Sequence, residues 1–261
     1  MNYLISGLAK SGTTMLFSRI QQALDSNVEV FFEPDRPEQF REISTRSIHT
    51  DTLTKVLIGR VMPDDKVLAE FDKHVVIYRD PRDQFVSTLL YLFYDFQVSG
   101  DQLGFDRCFN SLQKKQQEPA KFSAVELYNE VAVCVGRAPI AVFNNLHRVQ
   151  AEYIKAFSPY RARYEELLNG EWAALGKYLG LTLTQEAQVP QEYCRVTRSK
   201  GYGDWQLWLN ADDVDYTNNQ WGETISALGY ALGEAPRNQV ISEKTTLEYV
   251  KQFDPRRNPP L

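Results

Sequence analysis

Short apolar runs alternate with longer stretches of helical spacing along this chain. Asn2–Ser6 predicts a brief strand that runs into a glycine-containing loop, and Met15–Leu24 then places Leu16, Ile20, Ala23 and Leu24 on one helical face. Val28–Phe32 predicts a second strand, ended by Glu33-Pro34. Lys55–Met62 (KVLIGRVM) and His74–Arg79 (HVVIYR) predict two further buried strands. Asp80-Pro81-Arg82-Asp83 opens a helix, with Asp80 as N-cap, Pro81 at the first helical position and Asp83 near the positive end of the dipole. That helix carries Phe85, Val86, Leu89, Leu90 and Phe93. Residues 99–123 turn polar and read as an excursion from the core, suited to a lid or to the acceptor side. Pro139 begins another helix, Arg161–Tyr164 predicts a strand, and Trp172–Leu179 predicts a helix ending near Gly180. Beyond about residue 190 the periodicity fades until Asp212–Leu228, and the tail DPRRNPPL, about 254–261, reads as irregular.

Strands alternating with helices imply an α/β fold, read as one domain over 1–261, with a mostly parallel central sheet flanked by helices. In such folds sites gather at the carboxyl ends of strands. Gly7–Thr14, Glu33, Arg60 and Arg79 each follow a predicted strand, so they are expected on one edge. The hydrophobic share of 43% supports an ordinary core. A net charge of −5 argues against a nucleic-acid partner. Three widely spaced cysteines without a C-x-x-C pair suggest neither a disulfide framework nor a zinc site. No signal-peptide pattern and no membrane-length apolar run are found, which points to a cytoplasmic setting. Homo-oligomer formation stays open.

The chemistry concentrates in G7-L-A-K-S-G-T-T14. Its glycines have the spacing of a phosphate-binding P-loop, but Thr13 stands in the lysine slot and the lysine is Lys10. A strand, a glycine loop and a helix start present backbone N–H groups to an anion. Ser11, Thr13 and Thr14 add hydroxyls to that cradle, and Lys10 adds a charge. Where a metal-binding acid would often follow a strand, HVVIYR ends in Arg79, and a basic residue there suits phosphate. A P-loop small-molecule kinase would place its lysine and a metal-holding acid differently.

These segments resemble the sulfotransferases that use 3′-phosphoadenosine 5′-phosphosulfate (PAPS) and release 3′,5′-adenosine bisphosphate (PAP). K10-S-G-T-T14 is similar to the family loop that binds the 5′-phosphosulfate through Lys10, Ser11, Gly12, Thr13 and Thr14. Y78-R-D-P-R-D-Q-F-V-S87 resembles the 3′-phosphate segment, whose arginine and serine map to Arg79 and Ser87. R163-Y-E-E-L167 with L179-G-L181 resembles the segment that sets a tyrosine, here Tyr164, beside adenine. R198-S-K-G-Y-G-D-W205 is similar to the family's last basic segment. Arg198 and Lys200 both fit its phosphate contact, with Arg198 the better match. Met15 stands where cytosolic members often carry a tryptophan against the adenine.

The resemblance implies sulfuryl transfer to an acceptor hydroxyl, less often an amine, on a small molecule, lipid or carbohydrate, with no metal required. Lys10 would stabilise the leaving group. The histidine base of cytosolic members is absent, because Gly59-Arg60-Val61-Met62-Pro63 occupies its segment. Glu33, in V30-F-F-E-P34, resembles the carboxylate base of other members and is the candidate. For Arg60, an acceptor or sulfate contact and an ion pair are equally open. His49 reads as a loop residue, and Tyr91, Phe93, Tyr94 and Phe96 read chiefly as core. A non-catalytic nucleotide-binding protein is the alternative outside enzymology.

Overall fold

A parallel sheet forms here because several short segments are apolar on both faces. In a computed structural model of the chain, residues 1–24, 27–46, 49–60, 65–183, 198, 201–234 and 240–257 are described. The chain begins β1 (Asn2–Gly7), α1 (Thr13–Ala23), β2 (Glu29–Phe32), α2 (Pro37–Arg46), β3 (Thr52–Leu57), α3 (Asp65–Leu68), β4 (Lys73–Tyr78). Helices follow: α4 (Pro81–Leu92), α5 (Tyr94–Ser99), α6 (Gln102–Gln117), α7 (Ala124–Cys134) and α8 (Ile140–Phe157). The remainder is β5 (Tyr160–Arg163), α9 (Tyr164–Leu168), α10 (Ala173–Leu179), α11 (Trp205–Trp208), α12 (Ala211–Ala227) and α13 (Leu247–Lys251). Contacts divide the chain into two units, Met1–Arg79 with Leu146–Arg195 and Asp80–Asn145 with Val196–Leu261.

The first unit holds a five-stranded sheet in the order β2-β3-β1-β4-β5, with every neighbouring pair parallel. Alternate strand residues point to opposite faces. Tyr3, Ile5, Leu53, Val75 and Ile77 pack with Leu16, Phe17 and Ile20 of α1 and with Leu175 and Leu179 of α10. Leu4, Val56 and Val76 enter the other layer with Phe40 and Ile43 of α2 and Tyr153 of α8. With both faces covered, Tyr3–Ile5 of β1 and Val75–Tyr78 of β4 read as continuous apolar runs.

Two strand expectations shift. The strand read over Lys55–Met62 is Thr52–Leu57, because it pairs residue for residue with Asn2–Gly7 and ends where that neighbour ends. The chain then turns through Gly59, at φ 90°, and the Arg60 N–H returns to the Leu57 carbonyl. Val61 and Met62 lie outside the described residues. All of β3 is buried, Thr52, Thr54 and Lys55 included, so its polar residues hid its first half. Tyr164, read as the last residue of a strand, instead opens α9. Among the described residues no helix is long and apolar enough to cross a membrane.

Two histidines are packed into this unit. His74 Nε2 lies 2.7 Å from the Tyr153 hydroxyl and 3.2 Å from Ser6 Oγ, while His147 is buried on α8. Burial lowers both imidazoles, to about 4 for His74 and about 3 for His147. In the unfolded chain both titrate near 6.5. Between about pH 6.5 and 4 the unfolded chain therefore takes up protons that the folded chain refuses. Stability should be full above about pH 6.5 and fall on acidification, by on the order of 3 kcal/mol per histidine at pH 4. Urea midpoints measured from pH 8 to 4 check this; a flat profile would contradict it.

The second unit is helical in its described residues. Phe85 of α4 packs on Tyr128 of α7, Phe143 of α8 and Trp221 of α12, with ring centroids 5.5–6.2 Å away. Phe93 and Phe96 are fully buried against Phe105, and Tyr91 and Tyr94 stack beside Phe253. The polar stretch 99–123 is mostly α6, whose Phe105, Cys108, Leu112 and Lys115 are buried. Its polar letters disguised an amphipathic helix, and α7 follows with Ala124, Leu127, Tyr128, Val131 and Ala132 buried.

One buried carboxylate organises the start of two helices in this unit. Asp213 accepts from Ser123 Oγ (2.5 Å), Ala124 N–H (2.8 Å) and Val125 N–H (3.1 Å), which caps α7. It also accepts from the Asn210 N–H at 3.2 Å, completing the capping box of α12. Lys115 Nζ stands 3.9 Å away and donates to the carbonyls of Pro119 and Phe122.

Candidate nucleotide and transfer site

The loop after β1 carries the residues that the sequence singled out, at the start of α1. Gly7 has no room for a side chain, since a Cβ would stand 2.7 Å from the Ile77 carbonyl oxygen and 2.9 Å from Ser11 Oγ. Lys10 takes a left-handed conformation (φ 66°) and Gly12 another (φ 97°). Gly12 is the N-cap of α1, no side chain caps it, and the first turn holds no acid. The first N–H groups of a helix have no partner within it, so this end carries partial positive charge. Ser11 is buried and its hydroxyl donates to the Leu8 carbonyl at 2.7 Å, so it braces the loop from within. Thr13 is buried, while Thr14 and Lys10 are half-buried at the rim.

Tyr164 closes one side of this loop. A Cβ on Gly12 would come within 2.4 Å of the Tyr164 ring, so glycine is required there by both backbone angle and space. The Arg79 guanidinium lies over the same ring, 4.5 Å from its centroid. Three residues read from separate sequence segments are therefore joined: the loop glycine, the aromatic after β5 and the arginine after β4.

Glu33 sits at the end of β2 in a left-handed conformation (φ 51°), unusual for a residue with a side chain and followed here by Pro34. Its N–H still pairs with the Lys55 carbonyl, and its carboxylate turns back over β3. Lys55 Nζ donates to Glu33 Oε1 at 2.5 Å, and Arg60 donates to Oε2 at 3.1 Å. Arg60 is thus in an ion pair, with its side chain 66% exposed. Lys55 is the residue that the sequence reading missed. Only 1% exposed, it also donates to Thr14 Oγ1 at 3.1 Å and lies over the Phe32 ring. Burial lowers its pKa from the ordinary lysine value, and the Glu33 carboxylate opposes that shift. Because Lys55 occupies a lone pair of Thr14, the Thr14 hydroxyl hydrogen is left to donate elsewhere. The signal was present: a lysine inside the buried run T52-L-T-K-V-L57 needs a partner.

Of the remaining predicted residues, Ser87 and Arg198 belong to the second unit. Ser87 is buried on α4. Arg198 donates to Asp204 Oδ2 at 2.5 Å, with its side chain 3% exposed, and to the Thr245 carbonyl at 3.4 Å. Lys200 lies outside the described residues. Here two residues taken only as helix-start residues do more. Asp83 accepts from the N–H groups of Gly203 (2.6 Å) and Trp205 (3.0 Å). Arg82 pairs with Asp80 through two nitrogens, donates to the Ala231 carbonyl and lies 3.7 Å over the Trp205 ring. R-D-P-R-D and G-Y-G-D-W are thereby tied together, and Trp205 is a packing anchor. His49 is exposed after α2.

No protein-family model and no curated protein matches the sequence. Among solved structures the chain is similar to mouse sulfotransferase SULT7A1 complexed with PAP. The TM-score is 0.56, covering 86% of this chain and 84% of that one. The chain has a sulfotransferase fold. Sequence identity over the match is 14%, so the likeness concerns the backbone plan, and residue roles rest on the contacts described above.

Proposed function

We propose that this protein is a sulfotransferase that moves the sulfuryl group of PAPS to an acceptor hydroxyl. The observation that carries the reading is the uncapped glycine loop with Lys10 at its rim, closed by Tyr164 under Arg79. The donor has two anionic ends. The loop, with Lys10, Thr13 and Thr14, suits the 5′-phosphosulfate. Arg79 and Ser87 are assigned the 3′-phosphate by the resemblance, together with Arg198 or Lys200. Arg198 already holds Asp204, so it would share its charge between that carboxylate and the nucleotide.

In this reading the acceptor oxygen attacks sulfur as the bond from sulfur to the bridging phosphate oxygen breaks. The electron pair leaves with PAP, and Lys10 neutralises the charge growing on that oxygen. Glu33 takes the acceptor proton. Both its oxygens are engaged by cations, so an acceptor would reach the carboxylate by displacing exposed Arg60 while buried Lys55 keeps the side chain aimed. The acceptor class, whether small molecule, lipid or carbohydrate, is set by pocket segments with the least regular pattern.

Calorimetric titration with PAP in EDTA tests the donor, with adenosine 5′-phosphate and ATP·Mg²⁺ as comparisons. PAP should bind without metal and more tightly than adenosine 5′-phosphate. Arg79→Ala should lose about tenfold to a hundredfold, the worth of a charged phosphate contact. Preference for ATP·Mg²⁺ would overturn the reading in favour of a kinase. Binding of PAP with no turnover across acceptors, unchanged by Glu33→Ala, would favour a non-catalytic binder.

A further inference from the structure

Cys108 and Cys134, on α6 and α7, are separated by 26 residues, yet their sulfurs lie 3.3 Å apart. Both are free thiols, Cys108 buried and Cys134 half-buried at the last position of α7. Arg107, on the turn that carries Cys108, directs a guanidinium N–H onto the Cys134 sulfur. The two thiols are therefore unequal. Cys134 meets solvent and has the Arg107 guanidinium against its sulfur. Cys108 sits behind it, and burial raises its pKa above the ordinary thiol range, keeping it protonated at rest. A disulfide bond is about 2 Å long, so closure asks the sulfurs to approach by little more than about 1 Å.

We propose that this pair is a peroxide-responsive dithiol in which Cys134 is oxidised first and Cys108 resolves it to a disulfide joining α6 to α7. In the first step the Cys134 sulfur attacks a hydroperoxide oxygen, the O–O bond breaks, and water or an alcohol leaves. Cys134 becomes a sulfenic acid. In the second step the Cys108 sulfur attacks the Cys134 sulfur, the S–O bond breaks, and the hydroxide departs as water with the Cys108 proton. Two thiols are oxidised and one peroxide is reduced. The bridge closes a 26-residue separation across the α6–α7 hairpin, constraining the unfolded chain.

The test uses the whole chain without substitution. Reduced protein is titrated with hydrogen peroxide, quenched with an alkylating agent and mapped by peptide mass spectrometry. The expected product is a Cys108–Cys134 crosslinked peptide that dithiothreitol reverses, with a melting temperature several degrees above the reduced form. In Cys108→Ser, dimedone should instead trap a sulfenic acid on Cys134. Arg107→Gln should slow bridging severalfold. The proposal fails if peroxide leaves both thiols alkylatable, if Cys134 passes to higher oxides without bridging, or if the crosslink forms with Cys194 instead.

Discussion

Replacing Lys10 with alanine should lower kcat about 10²–10³-fold, the loss typical of removing one charge-stabilising donor from a transition state. The side chain stands at the rim of the loop, and alanine keeps a Cβ at the same left-handed φ of 66°, so the backbone cost of that position is unchanged. Folding should move within about 0.5 kcal/mol, the usual range for a surface change. The role assigned to Lys10 is specific to the bridging oxygen as the sulfur–oxygen bond breaks. Affinity for PAP should therefore weaken far less than turnover falls. Single-turnover rates with PAPS, paired with PAP titration, separate the two effects. A variant that loses PAP affinity by the same factor as rate would make Lys10 a binding residue. An unchanged kcat would remove it from the chemistry.

Asp213→Ala should cost the second unit about 3–5 kcal/mol, the range for removing one partner of a buried charged pair. The carboxylate is 1% exposed and takes three bonds from the start of α7 and one from the N-cap residue of α12. Alanine would strand those donors and leave the Lys115 ammonium, itself fully buried, with only its two carbonyls. Asp213→Asn keeps an acceptor oxygen and should lose less. Urea unfolding followed by tryptophan fluorescence is suited to the question, because Trp205, Trp208 and Trp221 all lie in that unit. A shift worth under about 1 kcal/mol would show that helix α7 does not depend on this cap.

Much of the candidate site was legible because its parts are local. Lys10 and Gly12 sit in one loop, and Arg79 follows directly on a strand of continuous apolar letters. Glu33 was legible as a carboxylate after a strand, but its partners were not. Lys55 reaches it because β2 and β3 are hydrogen-bonded neighbours, with Phe32 registered against Lys55. Nothing within either segment states that pairing. The same holds for Asp83, which reads as a helix-start residue and also holds the backbone of Gly203 and Trp205, about 120 residues later.

By itself the sequence determined the mostly parallel sheet flanked by helices and where a glycine loop passes from the first strand into a helix. Those are consequences of side-chain period and backbone conformation, which act over a few residues. The tertiary structure alone decided where β3 ends, which cations hold Glu33, and that Cys108 meets Cys134. Each of these depends on strand register or helix packing between distant segments. A buried charge or thiol announces in sequence only that it needs a partner, and the register of the neighbouring element supplies which one.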